Sequence, residues 1–485
     1  MATGREWRTW TKRYTGIDGA VSFTIAARLL QVASSIGTVL LILHFLSPVE
    51  QGYYYTLLSL AALQTVFELG FSFVILQLAA HEAALLTIHP DGRVEGDGAA
   101  HARLASVLKL TLRWYSWAAV ALMAVVLPVG LAFFSRQGRS SADVPWLGPW
   151  IAAVAALSIT FLLTPFYSFL EGCNQIREVA KLRMHQSLIV LVMSWGAIAS
   201  GHGLYASALV NAGWIAVGAG FLWQRRGLLL GLLRHETGES GVCWSAEVWP
   251  FQWKIAVSWI CSYFTAQMFT PILFAFRGPQ EAGRMGLSLS IAGYLPIVSL
   301  CWVTTKAARF GQLISLGRLD ELDALFFRTL RQALVSILIL VAVCCAGVAG
   351  VRLLAPTIAA RMESPGVIGL LLLTAVSSFV VQSFAVYLRS FRKEPYLAQS
   401  LAVSAITLGA VWATVPRWGS SAVAVIYFAC TGVIGLLWSG SIFLRARAAR
   451  PSETRSLSRS PARPAAMRIA GTMPTPAHAQ ESEAL

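Results

Sequence analysis

The chain has 485 residues, 56% of them hydrophobic and only 13% charged, with a mean hydropathy of +0.63. That balance excludes an ordinary soluble enzyme. A formal net charge of +15 raises nucleic acid as a partner, but the basic residues fall between long apolar stretches, where orientation in a membrane accounts for them. No nucleic-acid partner is expected.

Residues 1–16 are basic and precede an apolar run that is too long for a secretory signal and lacks a small-residue cleavage site. The run is read as a first transmembrane helix. A bilayer core about 30 Å thick takes roughly 20 apolar residues per helix, and backbone polar groups in lipid must be satisfied within their own segment. This predicts an all-α polytopic membrane protein of about 12 transmembrane helices. They are expected near residues 17–45, 53–80, 107–134, 147–170, 184–200, 203–223, 253–276, 284–306, 332–355, 366–388, 396–415 and 419–444.

If the amino terminus is cytoplasmic, the connections on its side carry about 30 basic residues, and the other side carries about seven: Arg136, Arg139, Arg277, Arg284, Arg352, Arg361 and Arg417. One missed span would invert every later loop, so an even count with both termini inside is expected. The resulting plan is a basic amino terminus (1–16), a six-helix bundle (17–223), a cytoplasmic linker (224–252), a second six-helix bundle (253–445) and a basic tail (446–485). The tail is rich in Arg, Ser, Pro and Ala without apolar periodicity, and is expected to be disordered. It serves as an orientation signal or meets anionic lipid head groups.

An internal repeat supports the division. The connection after the first helix reads Ser47-Pro48-Val49-Glu50-Gln51-Gly52, and that after the seventh reads Gly278-Pro279-Gln280-Glu281-Ala282-Gly283. Pro, Glu and Gly recur at the same spacing six helices apart, which relates the halves by an axis along the membrane normal. Two such bundles leave a central cleft that can open to either side. Pro128, Pro165, Pro271 and Pro296 fall within predicted helices, where they introduce kinks or are simply tolerated.

Polar residues inside the spans mark the candidate site. Thr24, Arg28, Gln31, Ser35 and Thr38 follow helical spacing on one face of the first helix. An arginine at mid-span costs about 2.5–3.5 kcal/mol on the insertion scale, so it should face protein or a wet cavity. Gln64 and Glu68 share a face of the second helix. Measured along each helix, Arg28 and Glu68 lie at a similar depth, roughly 20–25 Å below the outer surface. Two roles stay open: a structural ion pair, or Arg28 attracting an anionic substrate while Glu68 takes up a proton or cation. Asn211, Gln267, Ser378 and Gln382 are further candidates to hydrogen-bond sugar hydroxyls, or are interhelical contacts of the ordinary kind. Arg277 and Arg284 are expected to snorkel to head groups, as are Arg113 and Lys306.

No Walker A loop, HExxH or GxSxG is found, and the loops near 87–106 and 224–252 are too short to fold alone. The seven cysteines (Cys173, Cys243, Cys261, Cys301, Cys344, Cys345 and Cys430) form no CxxC pair and no cluster with histidine. An enzyme is therefore not expected, nor a metal or other cofactor. Without a nucleotide site, active transport must draw on an ion gradient, H+ or Na+.

The stretch FLSPVEQGYYYTLLSL followed by FELGFSFVILQLAAHE resembles the polysaccharide repeat-unit flippases of the multidrug/oligosaccharidyl-lipid/polysaccharide exporter superfamily. Pro48, Glu50 and Gly52, with Glu68 and Gly70, carry most of the match, and LEGCNQIREVAKLRM from Leu170 adds a second patch. The resemblance implies a multi-pass protein of the bacterial inner membrane that moves an undecaprenyl-diphosphate-linked oligosaccharide of the O-antigen or exopolysaccharide type between leaflets. The implied partners are that lipid-linked oligosaccharide, membrane lipids and a coupling ion, with a polysaccharide polymerase and glycosyltransferases as further candidates. Arg28 would be the leading contact for diphosphate or acidic sugar. A multidrug extruder of the same superfamily, a lipid II flippase and a membrane glycan ligase or polymerase are the alternatives. The lipid II branch has two further helices not found here, and a ligase or polymerase generally needs a large outer loop.

Overall fold

The computed structural model describes residues 34, 37–89, 92–137, 144–235, 244, 249–391 and 395–448. Among them, eight helices are long and apolar enough to cross a membrane, or nine if a pair bent by 41° at Met268 is one span. Arg28, Gln31, most of the first predicted span and the basic tail lie outside the described residues.

Helix α1 ends at 45 (residues 37–45), and α2 (Pro48–Ala61) starts in a capping box. The Ser47 hydroxyl accepts from Glu50 N at 3.2 Å while the Glu50 carboxylate accepts from Ser47 N at 2.8 Å, with Pro48 in the first turn, where its missing N–H costs nothing. The sequence predicts one unbroken helix to 80. Instead the segment splits into α2, a short α3 (Gln64–Glu68) and α4 (Phe71–Ala83). Leu69 and Gly70 take left-handed φ values of 51° and 67°. Gly70 adopts that conformation without penalty, whereas Leu69 is strained in it.

A small hairpin follows, β1 (Leu86–Ile88) antiparallel to β2 (Val94–Gly96) with Thr87 opposite Glu95; apolar periodicity gives no sign of it. The amino-terminal half continues with α5 (Gly98–Gln137), α6 (Leu147–Gly172), α7 (Ile176–Ala199) and α8 (Ala206–Gln224). The expected linker is partly helical: α9 (Arg226–Arg234) buries Leu228, Leu229 and Leu232 and packs against α5.

The second half comprises α10 (Trp249–Gln267), α11 (Phe269–Arg277), α12 (Pro279–Thr304), α13 (Ala307–Ser315), α14 (Leu319–Leu354), the one-turn α15 (Pro356–Ala359), α16 (Pro365–Arg389), α17 (Leu397–Tyr427) and, after a π-helical stretch, α18 (Gly435–Ala448). The run from Leu397 to Ala448 is 52 residues. At 1.5 Å per residue a straight helix of that length would be about 78 Å, far more than a bilayer core. It folds back instead at Gly419 (φ 57°, ψ −140°). The fold-back is fixed by Gln399 Nε2 donating to Gly435 O at 2.7 Å and to Ser439 Oγ at 2.6 Å, and by Tyr396 OH donating to Ser439 O at 3.5 Å. The sequence expectation of two segments divided near 416–418 agrees with this turn.

The exposed surface is apolar. The most apolar window of α14 has only 6% of its residues buried, and Val343, Leu353, Leu354, Trp117 and Leu437 all project outward. Such a surface suits lipid rather than water.

The halves meet most intimately where the two Pro-x-Glu-x-Gly motifs begin α2 and α12. Gly52 lies so close to α12 that a Cβ there would fall 1.9 Å from Pro279 O, and a Cβ on Gly283 would fall 2.8 Å from Gly52 N. The repeated glycines are therefore the contact point of the repeated motifs. Phe274 of α11 wedges between Tyr53 and Phe134, with ring centroids 5.0 and 5.7 Å away. We call this side the proline face.

The opposite, basic face is cross-linked within each half. Arg183 pairs with Glu171 at 3.0 Å and Arg103 with Glu82 at 2.9 Å, while Lys109 Nζ donates to His235 O at 2.7 Å. In the second half Arg447 pairs with Asp323 at 2.7 Å. Phe310 and Leu313 of α13 are buried against their own half, so the apolar side of that helix is covered by protein.

Candidate functional site

The break at Leu69-Gly70 positions the first polar cluster. Glu68 ends α3, and one turn later Ser72 donates its hydroxyl to Glu68 Oε1 at 2.7 Å. The same hydroxyl lies 3.0 Å from Tyr115 OH on α5. This chain runs from the half-buried Glu68 and Ser72 at the helix break to the buried Tyr115, a setting in which an ionisable group calls for a partner or a wet cavity. One side of it is aromatic: Phe71, Trp114 and Trp244 approach with centroids 5.0–5.9 Å apart. Trp114 Nε1 is buried without an acceptor among the described residues.

A second helix break lies nearer the proline face, since Tyr263 and Phe274 on either side of it meet Ser59 and Tyr53. Gln267 closes α10, α11 bends away by 41° after Met268, and α10 packs against α3. Tyr263 of α10 donates to Ser59 O of α2 at 3.2 Å, tying the halves together between this break and the Glu68 cluster. Interrupted helices expose backbone groups that continuous ones satisfy internally, the arrangement by which membrane transporters build polar sites.

The remaining predicted site residues are dispersed. Gln64 opens α3, one turn before Glu68. Asn211 is buried, and its Nδ2 donates to Ser207 O of its own helix at 2.8 Å. Gln382 is exposed on α16. The pairing of Arg28 with Glu68 lies outside the described residues, and the described donor to Glu68 is Ser72. A cavity of about 510 Å³ on the basic face, lined by His89, Asn174, Gln175, Glu178 and Arg225 among others, involves none of the predicted site residues.

A second polar cluster lies on the proline face; the sequence reading puts its arginines on one side of the membrane but not their contacts. Arg361 crosses from the second half to the first, donating from NH1 to Leu43 O at 2.6 Å and from NH2 to Gln51 Oε1 at 2.9 Å. The buried Gln51 returns Nε2 to Gly283 O at 2.9 Å and to Arg361 O at 3.4 Å. Arg277 pairs with Glu281 at 3.1 Å, and Arg284 faces Glu363. The Arg277 side chain is 41% exposed beside its i,i+4 partner, which leaves it able to reach head groups. Glu281 could have been singled out from its place in the repeat; Arg361 and Glu363 carry no local signal.

With the geometry in view, three comparisons bear on the fold. No family model and no curated protein matches the chain. Among solved structures, it resembles the eukaryotic MATE transporter AtDTX14 (TM-score 0.57, 12% identity, covering 88% of this chain and 96% of that one). It also resembles a MATE in the straight conformation (0.52, 13%, 89% and 96%). A third match is the outward-facing conformation of a multidrug resistance MATE family transporter of the MOP superfamily (0.51, 12%, 89% and 96%). The chain is a multi-span, mainly helical membrane protein with a MATE-like fold.

Proposed function

We propose that this protein is a flippase that carries an undecaprenyl-diphosphate-linked oligosaccharide repeat unit across the bacterial inner membrane by alternating access, coupled to an H+ or Na+ gradient. In this reading twelve spans form two six-helix bundles, residues 17–223 and 253–445, with both termini cytoplasmic and the proline face outward. The observation that carries it is the crossing of the two motifs at Gly52 and Gly283, because the residues behind the flippase resemblance are those that join the halves. Contact on one face with polar residues at the helix breaks beneath it suits a cleft that opens alternately. Sugar hydroxyls and diphosphate cannot cheaply enter hydrocarbon, so Gln64, Glu68, Ser72, Tyr115 and Gln267 would shelter the head group while the polyprenyl tail stays in lipid. Arg28 would meet the diphosphate and Glu68 would take up the coupling ion.

A second reading, an ion-coupled multidrug extruder, draws on the setting of Glu68. A carboxylate beside Phe71, Trp114 and Trp244 offers both the counter-charge and the ring faces that an organic cation prefers.

Complementation separates the two. In a strain lacking its own repeat-unit flippase, the wild type is expected to restore surface polysaccharide, Arg28→Ala to lose that ability and Arg28→Lys to keep part of it. Failure of well-expressed wild type across strains with different glycans, together with dye efflux abolished by Glu68→Gln, would establish the extruder instead.

A further inference from the structure

We propose that Glu363 and Glu281 form a proton-binding site on the proline face, and that one proton is taken up by the pair as Arg361 latches the two halves together. The proposal rests on the alternating-access reading, since the proline face must open for the latch to act.

The site is built from five parts of the second half. The Glu363 residue is 5% exposed. Its Oε2 accepts the Ser420 hydroxyl at 3.0 Å, and its Oε1 is buried with no partner among the described residues. Ser420 also donates its backbone N–H to Glu281 Oε1 at 2.6 Å. Two carboxylates thus hang on one residue, directly after the turn at Gly419, where a Cβ would fall 2.1 Å from Glu281 Oε1. Like charges this close resist joint ionisation.

The surrounding charges decide which oxygen holds the proton. Glu281 is met by two N–H donors, Ser420 N and Arg277 Nε. Glu363 is met by the Ser420 hydroxyl and more weakly by the Ser364 backbone N–H, and Arg352, at the end of α14, spends NH2 on the Glu363 backbone carbonyl at 2.7 Å. Arg284 of α12 faces Glu363, yet its Nε is buried without an acceptor among the described residues. Protonation neutralises a buried carboxylate whose Oε1 has no donor among the described residues to stabilise its charge, which removes most of the cost of burying it.

The link to the latch is short. Arg361 precedes Glu363 by two residues, and the same loop carries the hydrogen bonds to Leu43 and Gln51 across the interface. Burial, reinforced by Glu281, pushes the Glu363 carboxyl above the ordinary carboxylate range, with Ser420 and Arg284 opposing. Release of Arg361 from Leu43 and Gln51 would free the loop that carries Glu363, and its carboxyl, drawn away from Ser420, would be hydrated and ordinary in the open state. The latched state therefore binds the proton more tightly, so protonation stabilises it. That stabilisation is complete below the ordinary carboxylate value and lost as pH rises through the raised one. An acidic exterior shuts the proline face.

Spin labels on Phe45→Cys and Leu354→Cys, both exposed positions, would read the distance across the face by double electron–electron resonance. The protein is full-length, in lipid nanodiscs, with its native cysteines replaced. Lowering the pH from about 8 to about 5 is expected to shift the wild type from long to short distances. Glu363→Gln should give the short distance throughout, and Glu281→Gln, which removes the like charge, should move the midpoint to lower pH. Arg361→Ala should give the long distance at every pH. A wild type that does not respond to pH, a Glu363→Gln variant with the wild-type midpoint, a short distance in Arg361→Ala, or the same closure produced by Na+ at fixed pH would each overturn the proposal. The distance needs no substrate, so failure to flip any glycolipid leaves this result standing, and a flat pH response beside intact flipping rejects the proton site alone.

Discussion

Gly52→Ala is expected to cut transport steeply while leaving the protein folded and inserted. A methyl at this position would sit 1.9 Å from the Pro279 carbonyl oxygen and 2.5 Å from its carbon. These are backbone atoms at the start of α12, so no side chain can rotate away. Forcing such an overlap costs about 1–3 kcal/mol, and the cost falls only on the state in which the proline face is closed. A two-state equilibrium would move about 5- to 150-fold toward the open state. Intrinsic helix preference runs the other way, since alanine favours a helix over glycine by about 1 kcal/mol, so a loss cannot be assigned to a weaker α2. Gly283→Ala, whose methyl would stand 2.8 Å from Gly52 N, should show the same defect in milder form. Transport of Gly52→Ala at the wild-type rate, at matched expression, would show that the crossing is not tight in the working protein.

The other large effect concerns Arg361 and Gln51. Arg361→Ala deprives Gln51, which is 1% exposed, of the donor to its Oε1 and leaves the Leu43 carbonyl without the same guanidinium. An unsatisfied buried polar atom costs about 1–3 kcal/mol, and two acceptors are affected. Gln51→Met should also destabilise, because Gly283 O and Arg361 O then lose their donor. The double variant should lose less than the sum, since each residue's penalty depends on the other being present. Thermal unfolding of the four proteins in one detergent gives the cycle. Strict additivity would mean that the hydrogen bonds across the face contribute nothing.

The apolar stretches and the repeated motif were legible in the sequence because both are local. Pro48, Glu50 and Gly52 announce a capped helix start, and their repetition at Pro279, Glu281 and Gly283 marks the second half; that the motifs touch each other is a tertiary fact which spacing alone does not contain. The broken span was hidden for a different reason. Leu69 is an ordinary helix former, and one glycine after it is common in membrane helices, so the left-handed pair at Leu69 and Gly70 has no sequence signature. Glu68 and Gln64 were identifiable as polar residues at helical spacing, while Tyr115, which completes the chain through Ser72, comes from a helix more than forty residues away. Arg277 and Arg284 were assigned to head groups because a lone cation near a helix end ordinarily belongs there. Glu281 was within reach as the i,i+4 partner of Arg277, whereas Glu363 joins Glu281 at Ser420 only once the chain has folded back at Gly419.

The central claim is translocation of a lipid-linked glycan, and its direct test is leaflet exchange in a purified system. Protein reconstituted into liposomes with an undecaprenyl-diphosphate oligosaccharide, labelled on the sugar, would be followed by the fraction accessible to an external glycan-modifying enzyme under an imposed proton or sodium gradient. The account predicts gradient-dependent equilibration in wild type, none in Glu68→Gln and much less in Gly52→Ala. Equal accessibility in wild-type and protein-free liposomes, with inserted and folded protein and several glycans tried, would contradict it.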